Sequence, residues 1–311
     1  MFLEITPEGV SLLIGRGHFL ATLVATFFLL GACIRLDFVI AAVGVIALLG
    51  CAINVVEFFF AGTSFDWLST VPGRAAGFYG NSNDAAMFIA LAVPIVAMNV
   101  SPRSRWIFYA LTFVGVYVTF SRGGLVVWAS LVAMSELMLG YGRRGWGTRV
   151  TLALISCLGL VGLLSFVSAD ASRTLTETLW PYLDANTIAR VEFASNDSTA
   201  ERMLLIERGL EAFSEAPLLG QGVGYTHSWD ASASVHNMMI LLLAEQGLLG
   251  GVWFLALLAV LWSYGRPYGV AIAIAVFVSG LFSHNHLERP ALALVVALYL
   301  AVAVRRQRPS K

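Results

Sequence analysis

Residues 237–262 read NMMILLLAEQGLLGGVWFLALLAVLW, an apolar run of 26 residues in which Glu245 is the one charged side chain. A helix needs about 20 apolar residues to cross a bilayer, so this run predicts a transmembrane helix. The 311-residue chain is 58% hydrophobic and 12% charged, and its mean hydropathy is +0.80. Soluble proteins carry about 25% charged residues. A soluble enzyme, a disordered protein and a nucleic-acid-binding protein with a basic face are therefore excluded.

Further apolar runs lie on the N-terminal and C-terminal sides of this segment. They fall near residues 18–34, 38–60, 84–100, 106–121, 124–140, 150–168, 270–284 and 290–304. Together these runs predict an all-α polytopic membrane protein with about nine transmembrane helices. We expect residues 1–311 to form a single membrane domain.

The basic residues indicate the orientation of the chain. Four short polar gaps hold ten of the nineteen basic residues and no acidic residue; they are residues 101–105, 141–149, 263–269 and 305–311. Short loops rich in Lys and Arg stay in the cytoplasm, which predicts a cytoplasmic C-terminus. With an odd number of spans, residues 1–17 would then lie outside. Either one span is miscounted or helices that would normally precede Met1 are missing from this chain.

The longest polar stretch, residues 169–236, is predicted to lie outside the cytoplasm. Residues 170–235 carry ten acidic residues and four arginines, a net charge of −6. Within them, residues 201–213 (ERMLLIERGLEAF) repeat apolar side chains at helical spacing. A loop this long in a compact chain is usually functional. We interpret it as a helical cap over the membrane bundle.

Three arginines are predicted to face outward, against the general charge distribution: Arg74, Arg122 and Arg202. A guanidinium group is planar, stays charged and binds phosphate oxygens in pairs. The side chains of all three arginines are therefore suited to binding an anion such as a phosphate group. Two alternatives stay open, because Arg202 could pair with nearby glutamates on its helix and Arg74 could extend to the lipid headgroups.

His236 and Asn237 open the apolar run at its outer end. An imidazole titrates near neutral pH and can act as a general base, although a histidine at the interface is often only an amphipathic residue. Glu245 lies within the run, where an ionisable side chain is costly. We interpret Glu245 as a partner in helix packing.

Three segments resemble the O-antigen ligase and O-antigen polymerase superfamily. Residues 213–251 (FSEAPLLGQGVGYTHSWDASASVHNMMILLLAEQGLLGG) are similar to its PLLGxGxG turn, its His-Asn pair and its ExGxxG helix. Residues 73–94 (GRAAGFYGNSNDAAMFIALAVP) resemble its GxFxNPN segment, with Ser82 in place of the usual proline. Residues 119–124 (TFSRGG) resemble its SRGG turn. The resemblance implies a glycosyltransferase C-like bundle with 169–236 as a periplasmic cap.

The resemblance also implies an activity. Members transfer a glycan from an undecaprenyl-diphosphate carrier to an acceptor at the periplasmic face of the bacterial inner membrane, with no cofactor or metal. The acceptor is lipid A core, another lipid-linked glycan or a protein hydroxyl, and the sequence does not separate these three classes. The implied catalytic residues are His236, Arg122 and Arg202. The implied substrate-binding residues are Arg74, Asn81, Asn83 and Asn237.

The alternative is a transporter or flippase-like binding protein for lipid-linked glycans, with Glu57, Glu136 and Glu245 along a translocation path. Such a protein predicts inverted repeats, and none is evident in the sequence. Residues 284–289 (HNHLER) fit either a metal site or a polar cluster lining an acceptor groove. We favour the polar cluster, because the implied transfer is independent of metal.

Overall fold

The computed structural model describes residues 7–33, 35–60, 74–140, 198–229, 235, 237–263, 268–283 and 290–307. The regular structure in these ranges consists of nine α-helices and two short 3-10 turns. The helices are α1 (Pro7–Cys33), α2 (Leu36–Phe60), α3 (Ser82–Ala97), α4 (Pro102–Tyr117), α5 (Arg122–Gly140), α6 (Ser198–Glu215), α7 (Met238–Ser263), α8 (Tyr268–Gly280) and α9 (Pro290–Gln307). The 3-10 turns are Gly77–Tyr79 and Tyr225–Ser228. The all-α prediction is confirmed over the described ranges.

Helices occupy eight of the nine predicted spans, and the remaining span, 150–168, lies outside the described residues. By length and composition, three helical stretches are able to cross a membrane: residues 37–60, 122–139 and 238–263. Four shorter apolar helices accompany them, within α1, α3, α8 and α9. The chain is thus a multi-pass membrane protein, and nine crossings stay a prediction.

The chain divides into two compact units, of which the first comprises residues 37–198. In this unit α3 packs against α4 and α5. Its buried side chains include Ala85, Ala86 and Ala90, and Gly124 of α5 lies so close to Ala86 that an added Cβ would overlap the alanine. In lipid, burial of apolar surface does not drive helices together. Helices associate through close van der Waals packing instead, and small residues permit the backbones to approach closely enough for it.

The second unit comprises residues 1–36 and 199–311. Here α1 packs along α9, while α8 contacts both α7 and α9. Helix α6, predicted at 201–213, is confirmed and lies against the start of α7. A Cβ on Gly209 of α6 would meet the Ile240 side chain at 2.6 Å, so glycine is needed for this approach.

Helix α7 is broken at Gly247, where φ is 62° and ψ is −152°. The helix predicted over residues 237–262 is found at 238–263, and the break within it is a feature that the apolar pattern does not indicate. The turn at residues 216–222 lies against the break, since a Cβ on Gly247 would overlap the backbone of Leu218. This backbone conformation is essentially restricted to glycine.

Replacing Gly247 with alanine is therefore expected to destabilise the protein. Both the strained φ and the overlap with Leu218 act against the alanine, and the combined cost is about 1–3 kcal/mol or more. The change is measured as a lower Tm of the purified protein in detergent. Gly17→Ala is the matched control, because Gly17 lies on α1 with no atom near its Cβ position. An unchanged Tm for Gly247→Ala would contradict the break.

Candidate functional site

The segment that resembles GxFxNPN, described from residue 74 to residue 94, contains the 3-10 turn Gly77–Tyr79. This turn is anchored to α2. The Glu57 carboxylate, buried in α2, accepts hydrogen bonds from the backbone N–H groups of Ala76 at 2.8 Å and Gly77 at 2.7 Å. A Cβ on Gly77 would meet Oδ1 of Asn54 at 2.6 Å. A carboxylate thus satisfies two backbone donors and places the chain that carries Arg74.

Arg74 connects the GxFxNPN-like segment (residues 74–94) to the SRGG turn (residues 119–124). Its Nε donates to the carbonyl of Thr119 at 3.1 Å, and its Nη2 donates to Oδ1 of Asn83 at 3.0 Å. The Ser121 hydroxyl donates to the same Asn83 oxygen at 2.8 Å. We call Arg74, Asn83, Thr119 and Ser121 the Arg74 cluster. Asn83 and Thr119, which are 36 residues apart in sequence, are thus brought together in it.

The chain around this cluster is shaped by side-chain caps. Asn81 caps α3, since its Oδ1 accepts from the N–H of Asn83 at 2.8 Å. Ser121 accepts from the N–H of Gly124 at 3.1 Å and so closes the first turn of α5. Phe120, directly before it, is the one non-glycine residue with positive φ (51°) among those described. Strained backbone of this kind is concentrated at functional sites.

Arg122 is the first residue of α5 and is half-buried. It follows Ser121 directly, so the Arg74 cluster and the start of α5 bring two of the three predicted arginines into one region. Unpaired N–H groups give a helix N-terminus a partial positive charge. This region is therefore suited to an anion.

The other motif residues lie in the second unit, where the glycine-rich turn fits into the break of α7. The N–H groups of Gln221 and Gly222 donate to the carbonyls of Ala244 and Glu245, each at 2.9 Å. The N–H of Leu248 donates to the carbonyl of Pro217 at 2.8 Å. The GQGVG sequence is thus a structural turn, and its hydrogen bonds replace those that α7 loses at the break.

Glu245 is buried beside this turn and contacts two other segments. Its Oε1 accepts from the Thr226 hydroxyl at 2.9 Å, and its Oε2 lies 3.6 Å from Nη2 of Arg16 on α1. A buried carboxylate needs such partners. The interpretation of Glu245 as a packing residue agrees with these contacts.

The remaining predicted site residues are placed as follows. Asn237 caps α7, because its Oδ1 accepts from the N–H groups of Met239 at 3.0 Å and Ile240 at 3.2 Å. Arg202 belongs to the first part of α6. His236 and the HNHLER segment lie outside the described residues. Among the residues that are described, no group of three or more His, Cys, Asp or Glu side chains is arranged to hold a metal.

Sequence reasoning missed several residues that organise the motifs. Ser121 and Thr119 lie inside the quoted TFSRGG stretch, where only the arginine was singled out. Thr226 and Arg16 were not singled out either, although both contact Glu245. A buried glutamate within an apolar helix signals that a polar partner exists, but the sequence does not say which.

The Arg74–Asn83 contact is expected to appear as coupling in a double-mutant cycle. Arg74→Ala and Asn83→Ala remove the same hydrogen bond, so their effects on the free energy of unfolding in detergent should fall short of additivity by about 0.5–3 kcal/mol. The control pair is Arg74→Ala with Ser101→Ala. Ser101 caps α4, beyond the far end of α3. Additive effects for Arg74 and Asn83 would contradict the cluster.

Comparison with protein families tests whether these motifs come from the family that they resemble. Residues 107–255 match the family described as O-Antigen ligase, a range that includes the SRGG turn, α6, the glycine-rich turn and the first part of α7. Residues 73–94 lie outside the matched range. A comparison with curated proteins found no match. The resemblance is confirmed by this match, because residues 107–255 of this chain are similar to the O-antigen ligase family.

Proposed function

We propose that the protein transfers a glycan from an undecaprenyl-diphosphate carrier to an acceptor hydroxyl at the periplasmic face of the bacterial inner membrane. The acceptor hydroxyl belongs to lipid A core, to another lipid-linked glycan or to a protein. The C-terminus is cytoplasmic in this proposal. The single observation that carries it is the Arg74 cluster, in which a guanidinium is held in place directly beside the SRGG turn.

The leaving group explains why fixed cations are needed. When the bond between the anomeric carbon and the diphosphate oxygen breaks, the electron pair stays on the diphosphate and its negative charge grows. Cations held ready at that position stabilise the transition state without reorganising. The hydrogen bonds from Arg74 to Thr119 and Asn83 provide this fixed placement. Arg122 adds a second charge at the start of α5.

The hydrogen bonds also suggest how the asparagines contribute. The Oδ1 atom of Asn83 accepts hydrogen bonds from both Arg74 and Ser121. Asn81 caps α3, the helix that carries Asn83. In this proposal they act on the substrate by holding Arg74. Arg202 on α6 takes part in binding the diphosphate in this proposal. This role is assigned from the resemblance of the sequence to the family.

The acceptor requires a base, and we assign this role to His236. Its imidazole takes the proton of the acceptor hydroxyl while that oxygen forms the new bond to the anomeric carbon. Asn237 fixes the first turn of α7 immediately after it. The arginines supply the positive charge, so the proposed reaction uses no metal and no cofactor.

The contacts of the three glutamates favour this reaction over the transporter alternative. Glu57 binds two backbone N–H groups. Glu136 pairs with Arg105 at 2.7 Å and accepts from Tyr109 at 3.1 Å. Glu245 binds Thr226 and pairs with Arg16. Each carboxylate thus has structural partners, whereas a translocation path would need carboxylates available to a passing substrate.

The test is glycan transfer in a strain that lacks its own enzyme of this type. Arg122→Ala is expected to lower transfer by about 10²–10³-fold, the usual cost of removing one preorganised group that stabilises developing charge. Arg122→Lys keeps the charge but loses the planar fork, so an intermediate rate is expected. His236→Ala and Arg202→Ala are expected to be similarly impaired.

Matched controls separate these roles from general loss of positive charge. Arg208→Ala removes an exposed arginine from the same helix as Arg202, and Arg103→Ala removes one from the start of α4. Both are expected to retain transfer. Full transfer by a well-expressed His236→Ala, Arg122→Ala, Arg202→Ala triple variant would overturn the assignment.

A further inference from the structure

The turn at residues 216–222 lies beside the middle of α7. Hydrogen bonds from Gln221 and Gly222 end on the carbonyls of Ala244 and Glu245, and the carbonyl of Pro217 binds the N–H of Leu248. These bonds run in both directions between turn and helix. They fix the position of the turn along the axis of α7.

The length of α7 bears on the depth of this position. The part of α7 after the break, residues 248–263, has a length of about 24 Å at about 1.5 Å per residue, which is less than the hydrocarbon core of about 30 Å. A crossing by α7 therefore includes the break, and the turn bonded to the break falls inside that core with it. Non-helical backbone is tolerated at this depth only when protein satisfies its polar groups, as the turn and the break do for each other.

The side chains at the tip of the turn are apolar and exposed. Leu218 is 68% exposed and Leu219 is 62% exposed. Leu248 and Leu249 of α7, next to the bonded backbone, are 48% and 62% exposed. The leucines of the turn therefore continue the apolar outer surface of a membrane-crossing helix. Contiguous exposed apolar surface of this kind marks contact with lipid or with another protein.

We propose that residues 216–222 form a re-entrant turn whose Leu218 and Leu219 side chains lie among the acyl chains of the bilayer. The partner is lipid, because the turn is fixed at a depth where its neighbours on α7 face lipid too. The turn thus anchors α6 in the membrane. This inference is independent of the proposed transfer reaction, and its test requires no glycan.

The test is a depth measurement on the full-length protein in phospholipid vesicles. Cys33, Cys51 and Cys157 are replaced by alanine, and a nitroxide label is attached to Leu219→Cys. Collisions with oxygen, which concentrates in the acyl region, are compared with collisions with a water-soluble nickel chelate. The label at Leu219 is expected to collide mainly with oxygen and to be shielded from nickel.

Two reference positions calibrate the result. Leu249→Cys on α7 represents the lipid-facing surface, and Arg103→Cys in the polar gap at the start of α4 represents an exposed position outside the apolar runs. Leu218→Cys provides a second label in the turn if the first variant fails to fold. Agreement of the turn with Leu249 supports the inference. Nickel collisions like those at Arg103 would overturn it, and so would shielding from both reagents, which would place another segment or a second copy over the leucines.

Discussion

The break in α7 is the constraint on which the second unit depends. A span in lipid must satisfy its backbone groups internally, and the conformation at Gly247 interrupts that pattern. The glycine-rich turn restores the balance with its own N–H and C=O groups. Gly220 and Gly247 are required on the two sides, because a Cβ on either would overlap the backbone of the other segment. The PLLGQGVG and ExGxxG stretches are therefore two halves of one structural element.

Both units use a buried glutamate to hold a non-helical segment against a helix. Glu57 of α2 binds the N–H groups that begin the 3-10 turn after Arg74. Glu245 of α7 binds the Thr226 hydroxyl in the 3-10 turn that follows the glycine-rich stretch. Charged hydrogen bonds are stronger than neutral ones, especially where water is excluded. In each unit a buried carboxylate thus holds the backbone of a motif segment in place.

Hydropathy and charge spacing were enough to predict the helices, because the width of the bilayer sets the length of each apolar run. The break was not predictable in the same way. Gly247 in an apolar run looks like an ordinary helix residue, and only its partner glycines, Gly220 and Gly222, hint at a second backbone nearby. Arg74 was predicted as a site residue, but its connection to Asn83 and Ser121 depends on tertiary packing between segments that share no local pattern.

Reconstitution of the purified protein separates glycan transfer from the movement of the lipid-linked glycan. Purified full-length protein in vesicles is supplied with labelled undecaprenyl-diphosphate glycan and an acceptor, with a metal chelator present. If the protein transfers the glycan as proposed, new glycosidic bonds and free undecaprenyl diphosphate appear in equal amounts, and His236→Ala abolishes both. Movement of the lipid-linked glycan across the membrane without new bonds, or transfer by His236→Ala at the wild-type rate, would contradict it.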